Sequence, residues 1–151
     1  MNHTYQIAIC DDEQKILDDL SKKITSAFKQ LKIETEYFCT TDSTQMMEHL
    51  QTHAVDVIFL DIDMPIFSGM DIAAVLNEKY PNAILVFVTS HDALVYQSFV
   101  YRPFGFIRKT HLDEELSSVI ERIGAELLRR KRDIVIVKGQ ERIRILIQDI
   151  L

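Results

Sequence analysis

The chain has 151 residues, of which 47% are apolar and 26% charged, a composition typical of globular domains. Its 17 Lys and Arg residues against 23 Asp and Glu residues give a formal net charge of −6, which disfavours general affinity for nucleic acid. No apolar run reaches the ~20 residues that span a bilayer, and the N-terminus lacks the basic region of a signal peptide. Two cysteines are too few for a disulfide framework. We therefore expect a cytoplasmic protein with no membrane partner.

The net charge is divided unevenly along the chain. Residues 1–128 contain 10 basic and 20 acidic residues, whereas residues 129–151 contain 7 basic and 3 acidic residues. A chain of this length suffices for one self-supporting core. The change of sign after residue 128 predicts a boundary between one complete domain and a shorter second segment.

Apolar runs of strand length alternate with stretches of helical period through the first 128 residues. Strands are predicted over 5–10, 33–38, 55–60, 84–88 and 104–107. Apolar residues at intervals of three and four predict helices over 16–31, 43–50, 69–80, 91–100 and 112–127. Ser43 is expected to cap the second helix. Because strands and helices alternate, the sequence predicts βαβ units, a parallel five-stranded sheet and right-handed crossovers.

The pattern changes after the fifth predicted helix. Four basic residues at 129–132 are typical of a helix end, where they complement the helix dipole. The segments 133–137 and 142–147 alternate like strands and are separated by a four-residue turn that contains Gly139. This pattern predicts a short C-terminal β-hairpin outside the βαβ alternation.

Polar residues follow four of the predicted strands. In a parallel sheet these positions meet at the carboxyl edge, where open α/β sheets bind their ligands. The residues are Asp11 and Asp12 after the first strand, Asp61 and Asp63 after the third, Thr89 and Ser90 after the fourth, and Lys109 after the fifth. Clustered carboxylates repel one another, and a divalent cation bound through oxygen removes that conflict. Mg²⁺ fits because it uses one or two carboxylates and keeps waters and phosphate oxygens as its other ligands.

The same set of residues suits a carboxylate that accepts a phosphoryl group as an aspartyl phosphate. Asp61 is the candidate nucleophile, because it ends a strand that is almost entirely apolar and lies between the paired acids and the lysine. The ammonium of Lys109 would keep a neighbouring carboxylate ionised and could hold a phosphoryl oxygen. The Thr89 hydroxyl could donate to the same oxygen.

Four motifs occur in the order and at the spacing of response regulator receiver domains, the phosphoacceptor modules of two-component signalling. They are Ile9–Glu13, Leu60–Pro65 with Gly69, Val88–Ser90 and Phe106–Lys109. Residues 4–128 as a whole resemble this family. The resemblance implies a doubly wound, flavodoxin-like α/β fold with strand order 2-1-3-4-5. It also implies Mg²⁺-dependent phosphorylation by a sensor histidine kinase, followed by a switch in dimerisation and output.

The resemblance also implies a role for each site residue. Asp61 would be the phosphoacceptor. The Mg²⁺ ligands would be the carboxylates of Asp11, Asp12 and Asp61 and the backbone carbonyl of Asp63. The residues that contact the phosphoryl group or respond to it would be Lys109, the switch hydroxyl of Thr89 and the aromatic ring of Phe106.

The sequence departs from the family beside the lysine. Thr110 follows Lys109 at a position where family members usually have a proline after a cis peptide. A cis peptide before a residue other than proline costs about 2.5–4 kcal/mol, so we expect a trans Lys109–Thr110 peptide. The loop that carries the lysine can then take a different path.

Residues 129–151 resemble the beginning of a LytTR-type DNA-binding domain, because a basic stretch is followed by two strand-like segments. This second resemblance covers some twenty residues of a domain of about a hundred. It implies a transcriptional regulator, and the receiver resemblance implies that this regulator acts as a homodimer. DNA would then be contacted only through the remainder of that domain, beyond residue 151.

Two alternative functions share part of this pattern. Asp61 and Asp63 after an apolar strand are similar to the nucleophile motif of haloacid-dehalogenase-type phosphatases, although Pro65 stands where those enzymes have threonine. A pseudo-receiver that serves only as an interaction module is the other alternative, and the complete set of acids argues against it. We expect a phosphoacceptor switch and not an enzyme that turns over a substrate.

Overall fold

Five β-strands and five α-helices alternate along the chain in a computed structural model. The structure describes residues 3–90 and 92–150, and it describes their side chains except at residues 93 and 134–150. The strands are β1 (Tyr5–Cys10), β2 (Thr35–Thr40), β3 (Val57–Leu60), β4 (Ile84–Thr89) and β5 (Gly105–Arg108). The helices are α1 (Gln14–Gln30), α2 (Ser43–Thr52), α3 (Gly69–Lys79), α4 (Val95–Ser98) and α5 (Leu112–Ile150).

The five strands form one parallel sheet in the order β2-β1-β3-β4-β5. The predicted doubly wound α/β fold and its strand order are therefore confirmed. In the register of the sheet, Cys10 pairs with Leu60, and Leu60 pairs with Phe87. The carboxyl ends of the two central strands are thus level, and Asp11 and Asp61 follow them side by side.

The residues of β3 show how the sheet separates two apolar cores. Val57 and Phe59 belong to the core beneath α1 and α5, whereas Ile58 and Leu60 belong to the core beneath α2 and α3. All four are fully buried. A strand covered on both faces needs apolar side chains at successive positions, which explains its unbroken apolar sequence.

The N-termini of α2 and α3 are capped by side chains. The Asp42 carboxylate accepts a hydrogen bond of 2.8 Å from the backbone N–H of Thr44, so the expectation that Ser43 caps α2 is wrong. At α3, Ser68 and Asp71 form a reciprocal capping box. These caps fix where both helices begin, next to the carboxyl edge of the sheet.

The fourth helix is shorter than the sequence period predicts. Of the predicted range 91–100, residue 91 lies outside the described residues, and only Val95–Ser98 is α-helical, between 3-10 turns at Asp92–Leu94 and Phe99–Tyr101. Ser98 is the one buried residue of α4. Because packing of an apolar face supplies most of a helix's stability, α4 has little to extend it.

The fifth helix is longer than predicted, since the backbone is helical from Leu112 to Ile150. The predicted β-hairpin over 133–147 is therefore wrong. A two-stranded hairpin is marginal on its own, whereas a helix satisfies its backbone groups within one segment. No proline interrupts this stretch, and Gly139 costs a helix only about 1 kcal/mol. Neither α5 nor another helix within the described residues has the length and apolar character needed to span a membrane.

Candidate functional site

Three carboxylates meet at the carboxyl edge of the sheet, as their positions after β1 and β3 predict. One oxygen atom from each of Asp11, Asp12 and Asp61 lies within 4.8 Å of the other two. Asp11 and Asp61 are buried, with exposed fractions of 0% and 4%, whereas Asp12 is exposed. The buried pair places two like charges in a region from which water is largely excluded.

The lysine that follows β5 reaches into this cluster. Lys109 Nζ lies 2.8 Å from Asp11 Oδ2 and 3.2 Å from Asp61 Oδ2. The Lys109–Thr110 peptide is trans, as expected, and the lysine still bridges both carboxylates. The threonine that replaces the family's proline therefore leaves the lysine within the site.

Contacts of Arg108 hold the turn between β5 and α5 that presents this lysine. The backbone N–H and the Nε of Arg108 each donate a hydrogen bond of 2.6 Å to the Glu115 carboxylate on α5. Charge-assisted bonds of this kind are stronger than neutral ones. They fix the residue before Lys109 to the first turns of the long helix.

The electrostatics of the cluster reflect burial and like charge. Burial, and after it the charge of Asp11, raise the pKa of the Asp61 carboxyl to about 7, although Lys109 acts in the opposite direction. Burial alone would lower the pKa of the Lys109 ammonium, but its contacts with Asp11 and Asp61 outweigh burial and raise it. The lysine is therefore charged at neutral pH, while the carboxylates of the two buried acids repel each other.

Cys10 lies beside the acids, but its thiol is unreactive. Burial and the charges of neighbouring aspartates raise the pKa of the Cys10 thiol to about 12. Only the thiolate is a strong nucleophile or metal ligand. Cys10 packs against Met64, with a sulfur–sulfur distance of 3.6 Å, and acts as a core residue.

A glycine sets the close approach between the start of α3 and the residue that ends β3. A Cβ atom added to Gly69 would overlap the backbone oxygen of Asp61. The Gly69 N–H donates a 2.8 Å hydrogen bond to the Ile62 carbonyl. The loop that contains Asp63 is therefore closed at its two ends by contacts that leave no room for a side chain at position 69.

A serine that sequence reasoning treated as a helix cap holds the same loop from α2. The Ser43 hydroxyl donates to the Pro65 carbonyl at 2.7 Å and accepts from the Phe67 N–H at 3.2 Å. Its partners are more than twenty residues away in sequence. No local pattern could have indicated this contact.

The two predicted switch residues lie on neighbouring strands. Thr89 ends β4, is buried and is opposite Arg108 in the sheet register. The half-buried Phe106 ring on β5 has its centroid 5.8 Å from that of buried Phe87 and 5.2 Å from that of Phe99. An aromatic row therefore runs from the core to the segment that follows α4.

The donor set of the cluster fits a divalent cation. Three carboxylates and one ammonium give the site a formal charge of −2 when all are ionised. Asp11 Oδ2 is buried, and beyond its ion pair with Lys109 it accepts no hydrogen bond from the described residues. Hard oxygen ligands with an excess of negative charge are the environment that Mg²⁺ prefers.

Comparison with known proteins identifies the family. Residues 7–121 match the response regulator receiver domain, and because the match covers most of the chain, the protein belongs to this family. The sensory transduction protein LytT of Enterococcus faecalis is 30% identical over 122 residues, which cover 80% of this chain and 48% of LytT. The chain spans about half the length of the curated relatives it matches.

Solved structures share the fold of this chain. The response regulatory domain of protein mrkE from Klebsiella pneumoniae has a TM-score of 0.73 at 22% identity, covering 82% of this chain and 98% of that domain. The response regulator protein TrrA from Thermotoga maritima, in complex with Mg²⁺ and BeF, has a TM-score of 0.67 at 19% identity, covering 78% and 97% of the two chains. At these identities the similarity concerns the fold.

Proposed function

We propose that this receiver accepts a phosphoryl group on Asp61 from a sensor histidine kinase, and that Mg²⁺ is required. The observation that carries this proposal is the bridge formed by Lys109 between Asp11 and Asp61 inside a cluster of three carboxylates. The cluster offers a carboxylate nucleophile, a cation-binding group and a fixed ammonium at one point. Membership of the receiver family supports the same reaction.

The Asp61 carboxylate would act as the nucleophile. One of its oxygens would attack the phosphorus of a phosphorylated histidine, so that an O–P bond forms while the N–P bond breaks and its electron pair stays on the imidazole. Lys109 Nζ, at 3.2 Å from Asp61 Oδ2, is close enough to contact an oxygen of the transferred group. The ammonium would thus stabilise the negative charge of the aspartyl phosphate.

Four groups would hold the Mg²⁺ ion: the carboxylates of Asp11, Asp12 and Asp61 and the backbone carbonyl of Asp63. When bound, Mg²⁺ would supply positive charge that offsets both the repulsion of the carboxylates and the charge of the phosphoryl oxygens. The raised pKa of Asp61 supports a requirement for the cation, because a nucleophilic carboxylate must be ionised and positive charge favours its ionised form.

Modification of Asp61 provides the test of the proposed reaction. The full chain is incubated with Mg²⁺ and a small phosphodonor, or with beryllofluoride, and intact mass or binding is measured. We expect one stable modification in the wild type and in Asp18→Asn, an exposed control on α1, and none in Asp61→Asn. Continuous hydrolysis of phosphate esters would instead indicate the phosphatase alternative. Absence of any reaction would favour the interaction module.

The conformational change that follows phosphorylation would be transmitted from Thr89 and Phe106 to the surface around α4. Phe106 contacts Phe99, and Phe99 in turn contacts the exposed Tyr96, with centroids 6.4 Å apart. A change in the position of Phe106 would therefore disturb an aromatic row that ends in solvent. Two-state elements of this kind convert a local charge change into a change of surface.

A tryptophan reporter tests this path, because the chain contains no native tryptophan. Tyr96→Trp is expected to change its fluorescence when Mg²⁺ and beryllofluoride are added. The change should vanish in the double variant Tyr96→Trp/Asp61→Asn. A modified protein whose fluorescence stays constant would contradict the proposed path while leaving phosphorylation intact.

Phosphorylation would control the output of a longer cytoplasmic regulator through homodimerisation. The relatives of the chain are about twice its length and include LytT proteins, which supports a LytTR-type output in transcription regulation. We expect beryllofluoride to increase the dimer fraction in light scattering. This chain by itself should bind no specific DNA, and a steep salt dependence with sequence selectivity would contradict that expectation.

A further inference from the structure

The loop between β3 and α3 carries two of the proposed cation-binding groups, yet its middle part is held by a residue from another helix. Ser43, at the start of α2, is 3% exposed. Its hydroxyl donates to the Pro65 carbonyl and accepts from the Phe67 N–H. One buried hydroxyl therefore ties down the loop backbone on both sides of Ile66.

The backbone of Ile66 explains why the loop needs this restraint. Ile66 has a φ of 70°, a left-handed conformation that is uncommon and strained for a β-branched residue. Its side chain is 78% exposed, so its own packing does little to hold the conformation. Hydrogen bonds must therefore fix the path of the loop: the Phe67 N–H donates to the Pro65 carbonyl at 2.9 Å across Ile66, and the Ser43 hydroxyl binds both of these groups.

The remaining restraints act elsewhere in the loop. Gly69 contacts the backbone of Asp61 and Ile62 at the end of the loop, and the buried Met64 side chain packs against Cys10. The carbonyl of Asp63 lies between these anchors. The two hydrogen bonds of the hydroxyl restrain the backbone that immediately follows Met64.

We propose that Ser43 is a positioning residue for the Mg²⁺ site, because it fixes the segment that presents the backbone carbonyl of Asp63 to the cation. The inference rests on the proposed function. Ser43 touches neither the cation nor the phosphoryl group, so its loss should weaken Mg²⁺ binding without altering the reactivity of Asp61 at saturating Mg²⁺. Residues that orient metal ligands typically change metal affinity by 10- to 100-fold when replaced.

The test measures Mg²⁺ affinity directly by calorimetric titration of the full chain. Ser43→Ala is expected to raise the Kd for Mg²⁺ at least about fivefold, and Ser43→Thr, which keeps the hydroxyl, to restore part of that loss. Ser98→Ala is the matched control, since Ser98 is also buried and its hydroxyl donates to the Val95 carbonyl of its own helix, α4. Its Kd should equal that of the wild type.

A second readout separates positioning from general damage. With a small phosphodonor, Ser43→Ala should need more Mg²⁺ for the half-maximal rate, in proportion to its Kd. Its rate at saturating Mg²⁺ should stay within about twofold of the wild type. If Ser43→Ala does not fold, Ser43→Cys, with its weaker donor, replaces it and should show the same direction of change.

Three results would overturn the inference. The first is an unchanged Kd in folded Ser43→Ala, and the second is an equal loss of affinity in Ser98→Ala. The third is a fall in the saturated rate without a change in Kd. Failure of the proposed function is recognised separately, because the wild-type chain itself would then bind no Mg²⁺ and show no modification at Asp61.

Discussion

On the α1 and α5 face of the sheet, Phe28 and Ile123 are completely buried among other apolar side chains. At the carboxyl edge of the same sheet, the ionisable side chains of Asp11 and Asp61 are buried, and the Lys109 side chain that contacts both is 13% exposed. Burial of apolar surface stabilises the fold at about 25 cal/mol per Å². Burial of a charge costs free energy unless partners compensate it.

The difference between these two regions separates stability from function. The apolar face holds the strands in register and so brings the carboxyl ends of β1 and β3 together. The carboxyl edge then uses that rigidity to keep like charges in contact, an arrangement that a bound cation would relieve. Substitutions in the first region should lower stability, whereas removal of a charge from the second should raise it.

The largest effect is expected in the apolar region. Phe28→Ala removes a fully buried ring from α1 and should lower the free energy of unfolding by about 3–5 kcal/mol, measured by urea denaturation. Modification of Asp61 should persist under conditions in which the variant stays folded. A loss below about 1 kcal/mol would show that the α1 face is not the source of stability.

Gly69→Ala tests the junction between the two regions. The added Cβ would meet the Asp61 backbone oxygen, so the loop must shift, at a cost of about 1–3 kcal/mol in stability. Mg²⁺ affinity should fall as well. Gly124→Ala in α5 is the control, because the nearest atoms to its new Cβ would be the terminal methyl carbons of Leu31 and Ile33. It should change stability by less than about 1 kcal/mol.

Asp61→Asn should stabilise the chain in metal-free buffer, and more so at pH 8 than at pH 5. The folded-state pKa of Asp61, about 7, lies above its ordinary value of 3.8, so the wild type loses stability as pH rises through that range. Asparagine does not ionise and escapes this loss. The difference in stabilisation between the two pH values should be about 1–3 kcal/mol by urea denaturation.

The control for this pH dependence is Asp18→Asn, because Asp18 is exposed on α1. Its effect on stability should be small and nearly equal at pH 5 and pH 8. If Asp61→Asn were destabilising at both pH values, the carboxyl edge would contribute to stability, and the contrast between the two regions would not hold.

Phe99→Ala is expected to have the smallest effect on stability. It makes the same substitution as Phe28→Ala, but at an exposed position. The Phe99 side chain is 55% exposed, so its loss should lower stability by less than about 1 kcal/mol. The same substitution should reduce the fluorescence response of Tyr96→Trp, since it interrupts the aromatic row. A large loss of stability would mean that the α4 segment belongs to the core.

Much of the fold could be predicted because its signals are local. Apolar runs and helical periods predicted the five strands, and the positions of the acids after those strands predicted that Asp11 and Asp61 would share the carboxyl edge. The spatial order of the strands came from the resemblance to receiver domains. The helix over 91–100 was predicted too long, because its period does not reveal that only Ser98 would be buried. The hairpin over 133–147 was wrong, because alternating apolar residues occur in helices as well as in strands.

The sequence by itself determined which residues end the strands, and hence which chemical groups lie at the carboxyl edge. Tertiary structure alone decided the distances between those groups, the burial that raises the pKa of Asp61 and the contact of Ser43 with the loop after Asp63. The physical reason is the distance along the sequence between the residues that interact. Strand and helix patterns arise within a few neighbouring residues, whereas burial and hydrogen bonds across the sheet edge join residues separated by twenty to a hundred positions.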